Sequence, residues 1–264
     1  MPEETNKAEK TNNESKASPK IEEVVSVTQH SITLNQETIN YTVTTGTIIL
    51  NEEDLDEGEK QKASIFYIAY TKEGELPNRP VTFSFNGGPG SSSVWLHLGL
   101  AGPKRVKMDA EGQPIGPPYQ LVDNEFSLFD QTDLVFIDPV STGYSRSVPK
   151  EKPDQFHNVK KDIESVGEFI RIWTTRNKRW LSPKFLMGES YGTTRAAGLA
   201  GYLHERHGMY LNGIMFISSI LNFMTAKFDE GNDLPFILFL PTYTATAWYH
   251  NKLSKERQAD LDKA

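Results

Sequence analysis

No cysteine occurs anywhere in the 264 residues, which excludes disulfide bonds and thiolate nucleophiles and suits a reducing compartment. No apolar run approaches the ~18 residues that read as a membrane-spanning helix. Basic charge is in deficit. A formal net charge of -7 and a pI near 5.5 leave no basic patch for nucleic acid and no polybasic membrane anchor. The opening residues, MPEETNKAEKTNNESKASPK, lack the apolar stretch and small-residue cleavage site of a secretory signal. The chain therefore reads as cytoplasmic if this N-terminus is native, and as periplasmic or secreted if a signal preceded it. Residues 1–20 carry almost no apolar side chains and are expected to form a disordered tail.

What is present is enough for a core. Hydrophobic residues make up 37% and aromatics 11%, sufficient for one large domain or two small ones. VVSVTQHSITL, INYTVTTGTIIL and ASIFYIAY alternate β-branched or aromatic residues with polar ones and predict antiparallel strands between residues 21 and 70. VTFSF (81–85), DLVFID (133–138), KFLMG (184–188) and GIMFISS (213–219) have the length of buried strands. Between them, residues 158–178 place Val159, Ile163, Val166, Phe169, Ile170 and Trp173 on one helical face, and 191–207 predicts a second helix. Strands alternating with helices indicate an α/β fold with a parallel sheet centre and helices on its faces, made mixed by the antiparallel N-terminal strands. From Phe223 the alternation stops, and a loop followed by helices with exposed aromatics is expected.

Two stretches carry chemistry. GESYG places Ser190 between Gly188 and Gly192, directly after one predicted strand and before a predicted helix. That is the setting of a nucleophile elbow, where the turn is too tight for side chains at the glycine positions and the serine hydroxyl projects from the sheet. NGGPGSSS follows the strand VTFSF, and its glycines free backbone N–H groups to face the tip of the sheet, where an oxyanion would form.

These stretches, with IDPVSTGYSRS (137–147) between them, resemble the serine carboxypeptidase family of α/β-hydrolases. The resemblance runs from about Val81 to Asn222. It implies an α/β-hydrolase core over 21–222 with helices on both faces of a mixed sheet, and the start of a helical lid over 223–264. By position it makes Ser190 the nucleophile and gives the oxyanion hole to the N–H groups of Gly88 and Tyr191. It assigns the substrate's terminal carboxylate to Asn86, the Gly87 N–H and Glu189. A glutamate beside the serine repels a carboxylate unless one of the two is protonated, which favours acidic pH. Ser91 stands where the family commonly has a cysteine, and Thr193 and Ser141 stand where it has glycines. Leu100 replaces a glutamate of the carboxylate network, which leaves acyl transfer or ester hydrolysis open beside C-terminal peptide hydrolysis. The chemistry calls for no metal or cofactor. The expected partner is a peptide or small acyl substrate, not nucleic acid or a membrane.

The resemblance also implies an aspartate and then a histidine after the serine. The chain has 6 histidines, at positions 30, 97, 157, 204, 207 and 250. His204 lies roughly 21 Å along the helix from Ser190. His97 sits seven residues beyond Gly90 and could line the cleft, though packing against the loop is the commoner role for such a residue. His250 has the right order, with Asp229 or Asp233 before it, but falls in a helix-like segment. The expectation is a chain that stops within the lid: a truncated copy, a non-catalytic fragment, or one piece of an enzyme completed by a C-terminal segment or second chain.

Overall fold

The computed structural model describes residues 20–54, 58–74 and 78–263. The tail expected over residues 1–20 lies outside them apart from Lys20. The N-terminal alternation forms three long antiparallel strands, β1 (Val25–Leu34), β2 (Glu37–Asp54) and β3 (Gly58–Lys72). Then follow β4 (Val81–Phe85), the single turn α1 (Val94–Leu96), β5 (Lys104–Val106), β6 (Leu121–Asp123), β7 (Asp133–Ile137) and β8 (Arg146–Ser147). The C-terminal half supplies α2 (Val159–Arg176), β9 (Lys184–Glu189), α3 (Tyr191–His207), β10 (Gly213–Ile217), α4 (Leu234–Tyr249) and α5 (Lys255–Gln258).

The main sheet has the order β1-β2-β3-β7-β4-β9-β10, with β8 paired to β3. Its centre is parallel, β7 with β4, β4 with β9 and β9 with β10, while β3 joins β7 antiparallel. The four short apolar runs therefore occupy the parallel part, as their length and composition predict. β4 and β7 are buried at every position. The two-stranded ribbon β5–β6 brackets the Pro- and Gly-rich loop and was not legible, because three-residue strands are too short to display an alternation.

Side chains one residue apart point to opposite faces, and two separate cores result. Ile48, Ile65, Phe83, Phe85, Val135, Ile137 and Leu186 share one face with Val166, Phe169, Ile170 and Trp173 of α2 and Leu199 and Leu203 of α3. Trp173 meets the Phe83 ring edge-on at 5.4 Å. The opposite face packs Tyr41, Tyr70, Leu134, Phe136 and Met187 against Leu96, Ala101 and Phe129 from short helical turns. α2 opens on Asn158, whose side chain accepts from the Lys161 N–H at 2.9 Å.

β10 forms one edge of the sheet, and that position changes its burial. Its apolar run reads as a buried strand, yet Ile214, Met215 and Ile217 are half-buried and Phe216 is exposed. Beyond it, the segment expected to hold helices with exposed aromatics contains α4, where Phe236, Ile237, Leu240 and Tyr243 face solvent. Among the described residues no helix is long and apolar enough to cross a membrane.

Candidate active site

Ser190 occupies the single residue between the last residue of β9 and the first of α3, with φ 55° and ψ −126°. A non-glycine residue at such angles is strained, and such strain persists only where surrounding structure over-determines it. Here the restraints are explicit. The Ser190 N–H donates to the Ile217 carbonyl of β10 at 3.0 Å, and its own carbonyl accepts from the Thr193 N–H at 2.9 Å and the Thr193 hydroxyl at 2.7 Å. The same hydroxyl accepts from the Ile220 N–H at 2.9 Å, and the Thr194 hydroxyl donates to the Ile220 carbonyl at 2.6 Å. Thr193, one of the departures from the family pattern, thus ties the elbow to the segment leaving β10. The flanking glycines are required by contact: a Cβ on Gly188 would strike the Gly192 carbonyl, and one on Gly192 would lie 2.9 Å from the Phe85 carbonyl oxygen.

The loop NGGPG meets this elbow directly. A Cβ on Gly87 would sit 2.5 Å from the Tyr191 nitrogen, so only glycine lets the loop backbone approach the start of α3 this closely. Gly88 and Ser190 line one cavity of about 520 Å³ together with Asn86, Ser91, Trp95, Leu96 and Glu189. The structure thus brings Asn86, Gly88, Glu189 and Ser190 to one cavity, with Gly87 and Tyr191 in backbone contact behind it. Trp95 and Leu96 were not singled out by the sequence, and the only signal for them is their position just after the glycine loop. Leu100 does not line this cavity; its side chain is exposed and its carbonyl accepts from Asn124 Nδ2 at 2.7 Å.

Asn86 is buried and its groups are nearly all engaged. Oδ1 accepts from the Leu96 N–H at 3.0 Å, Nδ2 donates to Glu189 Oε2 at 3.1 Å, and the carbonyl accepts from Arg195 Nη1 at 2.7 Å. An amide nitrogen carries two protons, so one remains available to a ligand.

A second layer holds the elbow from behind. Arg195 is buried, with Nε 2.9 Å from Asp162 Oδ2, and its guanidinium lies over the rings of Phe85 and Tyr191. The Tyr191 hydroxyl donates to the same Asp162 oxygen at 3.0 Å. Burial, and then the adjacent Asp162 carboxylate, push the Tyr191 phenol up to about 12. Asp138, from the IDP motif, is buried and accepts from the Ser93 N–H at 2.9 Å, which fixes the far end of the glycine loop. Burial raises its carboxyl above the ordinary range, against the lowering effect of the Ser93 and Tyr144 N–H groups. Neither Asp162 nor Arg195 announced itself in the sequence, because each looks like an ordinary helix residue until the two helices pack together.

Among the described residues no side chain hydrogen-bonds the Ser190 hydroxyl, and every histidine has neighbours elsewhere. His30 contacts Thr28, His97 bonds the buried Tyr70 hydroxyl at 2.6 Å, and His157 bonds the Ser141 hydroxyl at 2.9 Å. His97 therefore packs on the sheet against Tyr70 and Phe136 and does not line the Ser190 cavity. The His204 ring lies tilted against Tyr210, His207 lies 3.7 Å from Glu168, and His250 caps the end of α4 against Tyr249.

A model of the serine carboxypeptidase family matches residues 50–263. Serine carboxypeptidase-like 15 of Arabidopsis thaliana is 29% identical over 138 residues, covering 51% of this chain and 30% of that protein. The pheromone-processing carboxypeptidase KEX1 of Saccharomyces cerevisiae is 36% identical over 155 residues, covering 55% of this chain and 20% of that one. The solved structure of the prohormone-processing carboxypeptidase KEX1 from the same yeast superposes with a TM-score of 0.52 at 23% identity, over 82% of this chain and 49% of that chain. The matched region thus spans less than a third of the length of these curated relatives.

Proposed function

The chain belongs to the serine carboxypeptidase family, and from that premise we propose that it carries the nucleophile of a serine hydrolase that removes residues from peptide C-termini. The observation that carries this reading is Ser190, held at φ 55° between β9 and α3 beside the glycine loop. In the reaction, Ser190 Oγ attacks the scissile carbonyl carbon and its proton passes to a base. The carbonyl oxygen becomes an oxyanion held by the N–H groups of Gly88 and Tyr191, and the leaving amine takes up the proton. Water then hydrolyses the acyl-enzyme and restores the serine. Asn86, the Gly87 N–H and Glu189 hold the terminal carboxylate of the departing residue.

The base is the unassigned part. Every histidine of the chain has partners away from Ser190. We assign the histidine and its aspartate to a further segment or second chain that adds beyond β10, next to the elbow. Residues 21–222 then form the hydrolase core and 223–264 the start of a lid over it. Leu100, exposed and apolar where the family's carboxylate network has a glutamate, supports a second reading, in which the acyl group passes to an alcohol instead of water.

A fluorophosphonate probe tests the nucleophile: Ser190 should be labelled once the base is in place. Ser190→Ala should then abolish both labelling and peptide hydrolysis, with a loss of roughly 10⁴-fold or more because nucleophile, base and acid act as a unit. A Ser190→Ala enzyme that keeps half its turnover would overturn the assignment.

A further inference from the structure

The loop that follows β7 carries a second serine at left-handed backbone angles. Ser141 stands at φ 70°, where a non-glycine residue is strained, and the family pattern has a glycine at this position. The turn around it is held from several sides. The Ser141 N–H donates to the Ser145 carbonyl at 3.2 Å, the Ser145 N–H to the Thr142 carbonyl at 2.8 Å, and the Thr142 hydroxyl to the Pro139 carbonyl at 2.9 Å. Strain that persists under such restraint is a pointer to function. The Ser141 hydroxyl lies 2.9 Å from Nε2 of His157, on the turn that leads into α2. We propose that Ser141 and His157 form a second nucleophilic pair, which attacks aryl esters of short carboxylic acids. This activity goes beyond the peptidase reading and is independent of Ser190.

A serine is a weak nucleophile until a base within hydrogen-bond reach, about 2.6–3.2 Å, takes its proton. The pair meets that distance, and both residues are exposed, so an ester can reach them from solvent. They line a cavity of about 370 Å³ with Pro89, Val140 and Phe156, which offer apolar faces to an aromatic leaving group. Ser190 lines a different cavity. Asp154 Oδ1 lies 3.7 Å from His157 Nδ1, beyond hydrogen-bond reach, and its side chain is 90% exposed. An ion pair so exposed contributes little, and the unit is a pair and not a triad.

The reaction uses the neutral imidazole with its proton on Nδ1. Ser141 Oγ attacks the ester carbonyl carbon, and its proton passes to His157 Nε2. The carbon–oxygen bond to the phenol breaks, and the departing phenoxide takes that proton. Water then attacks the acyl-serine with Nε2 as base, which releases the carboxylic acid and restores the serine. A phenol leaves readily, so nucleophile and base suffice. A peptide amine leaves poorly, and its cleavage also calls for an oxyanion site such as the one assigned beside Ser190. The pair therefore adds an esterase activity and no peptidase activity.

The test removes Ser190 first, so that its outcome does not depend on the peptidase reading. The Ser190→Ala chain is treated with a fluorophosphonate probe and, separately, with p-nitrophenyl acetate, and the modified residue is located by peptide mass mapping. Ser141 should carry the phosphonyl and the acetyl group. Adding Ser141→Gly should abolish both, and this variant is expected to keep the fold because glycine adopts φ 70° without strain. His157→Gln keeps a hydrogen-bond partner for the serine but removes the base, so acylation of Ser141 should slow roughly 10²-fold or more. No group on Ser141 in the Ser190→Ala chain, or a smaller slowing with His157→Gln, would overturn the proposal.

Discussion

Asn86 Nδ2 donates to Glu189 Oε2 across 3.1 Å, joining the residue just after β4 to the last residue of β9. This bond joins two residues that line one cavity with Ser190, and it leaves Asn86 a second amide proton. It braces the elbow through Glu189, a duty separable from the proposed one of meeting the substrate's terminal carboxylate.

Glu189→Gln separates those duties, because glutamine keeps an oxygen for Asn86 but carries no charge. In the active enzyme, kcat/KM for a peptide with a free C-terminus should fall roughly 10- to 100-fold, the worth of a hydrogen bond to a charged group. The preference for acidic pH should flatten, since no protonation is then needed to admit a carboxylate. A pH–rate profile unchanged by the substitution would assign Glu189 to structure alone.

Asp162 is expected to matter for stability as much as for the site. Its carboxylate serves both Arg195, which is 1% exposed, and the Tyr191 hydroxyl. Asp162→Ala leaves a buried guanidinium uncompensated and should cost about 3–5 kcal/mol. Asp162→Asn, which keeps an acceptor, should cost less. Urea unfolding of the two variants decides this, and an Asp162→Ala protein as stable as the parent would refute it.

The elbow, the glycine loop and the parallel centre were legible because each is a local matter. Gly188 and Gly192 are needed by the turn that contains them, and the bounds of α3 follow from the Tyr191–His207 pattern and the left-handed Gly208 that ends it. The Asp162–Arg195 pair joins residues far apart in the chain, and only the packing of α2 on α3 creates it. The same holds for His97, in the helical turn after α1, whose partner Tyr70 lies on β3. The half-burial of β10 was illegible for another reason. Composition reports how apolar a strand is, and says nothing about whether it becomes a centre or an edge.

The His97–Tyr70 pair makes the fold acid-sensitive. Burial holds the His97 imidazole down to about 4 from its ordinary 6.5, and burial raises the Tyr70 phenol above its usual range. The folded state therefore resists protonating His97, and the unfolded chain binds that proton more readily. Its stabilising contribution is full above about pH 6.5 and is lost as pH falls towards about 4, on the order of 3 kcal/mol in all. Denaturant midpoints at pH 7 and pH 4.5 should differ by more in the parent than in His97→Gln, which can still bond the Tyr70 hydroxyl. An equal acid penalty in both would show that other groups carry it.

The chain by itself is expected to associate and to be inactive. β10 presents an edge strand whose side chains are half-buried or exposed, and an unpaired edge is a template for another strand. Beside it in sequence, α4 contains no charged residue in LPFILFLPTYTATAWY and leaves Phe236 57%, Ile237 66% and Leu240 62% exposed. Soluble monomers rarely expose apolar surface on this scale. Sedimentation velocity should show mass rising with concentration, and sulfate should enhance the effect because it strengthens apolar association. Ile237→Lys with Leu240→Lys should shift the distribution towards monomer. Without a histidine bonded to Ser190, the same preparation should show no useful peptidase turnover, since a triad stripped of members retains only roughly 10³–10⁴-fold acceleration over water. A segment that adds beyond β10 and supplies the base should restore turnover and suppress association together. A monodisperse, fully active preparation of these residues alone would overturn both expectations, and would make His250 the first histidine to substitute.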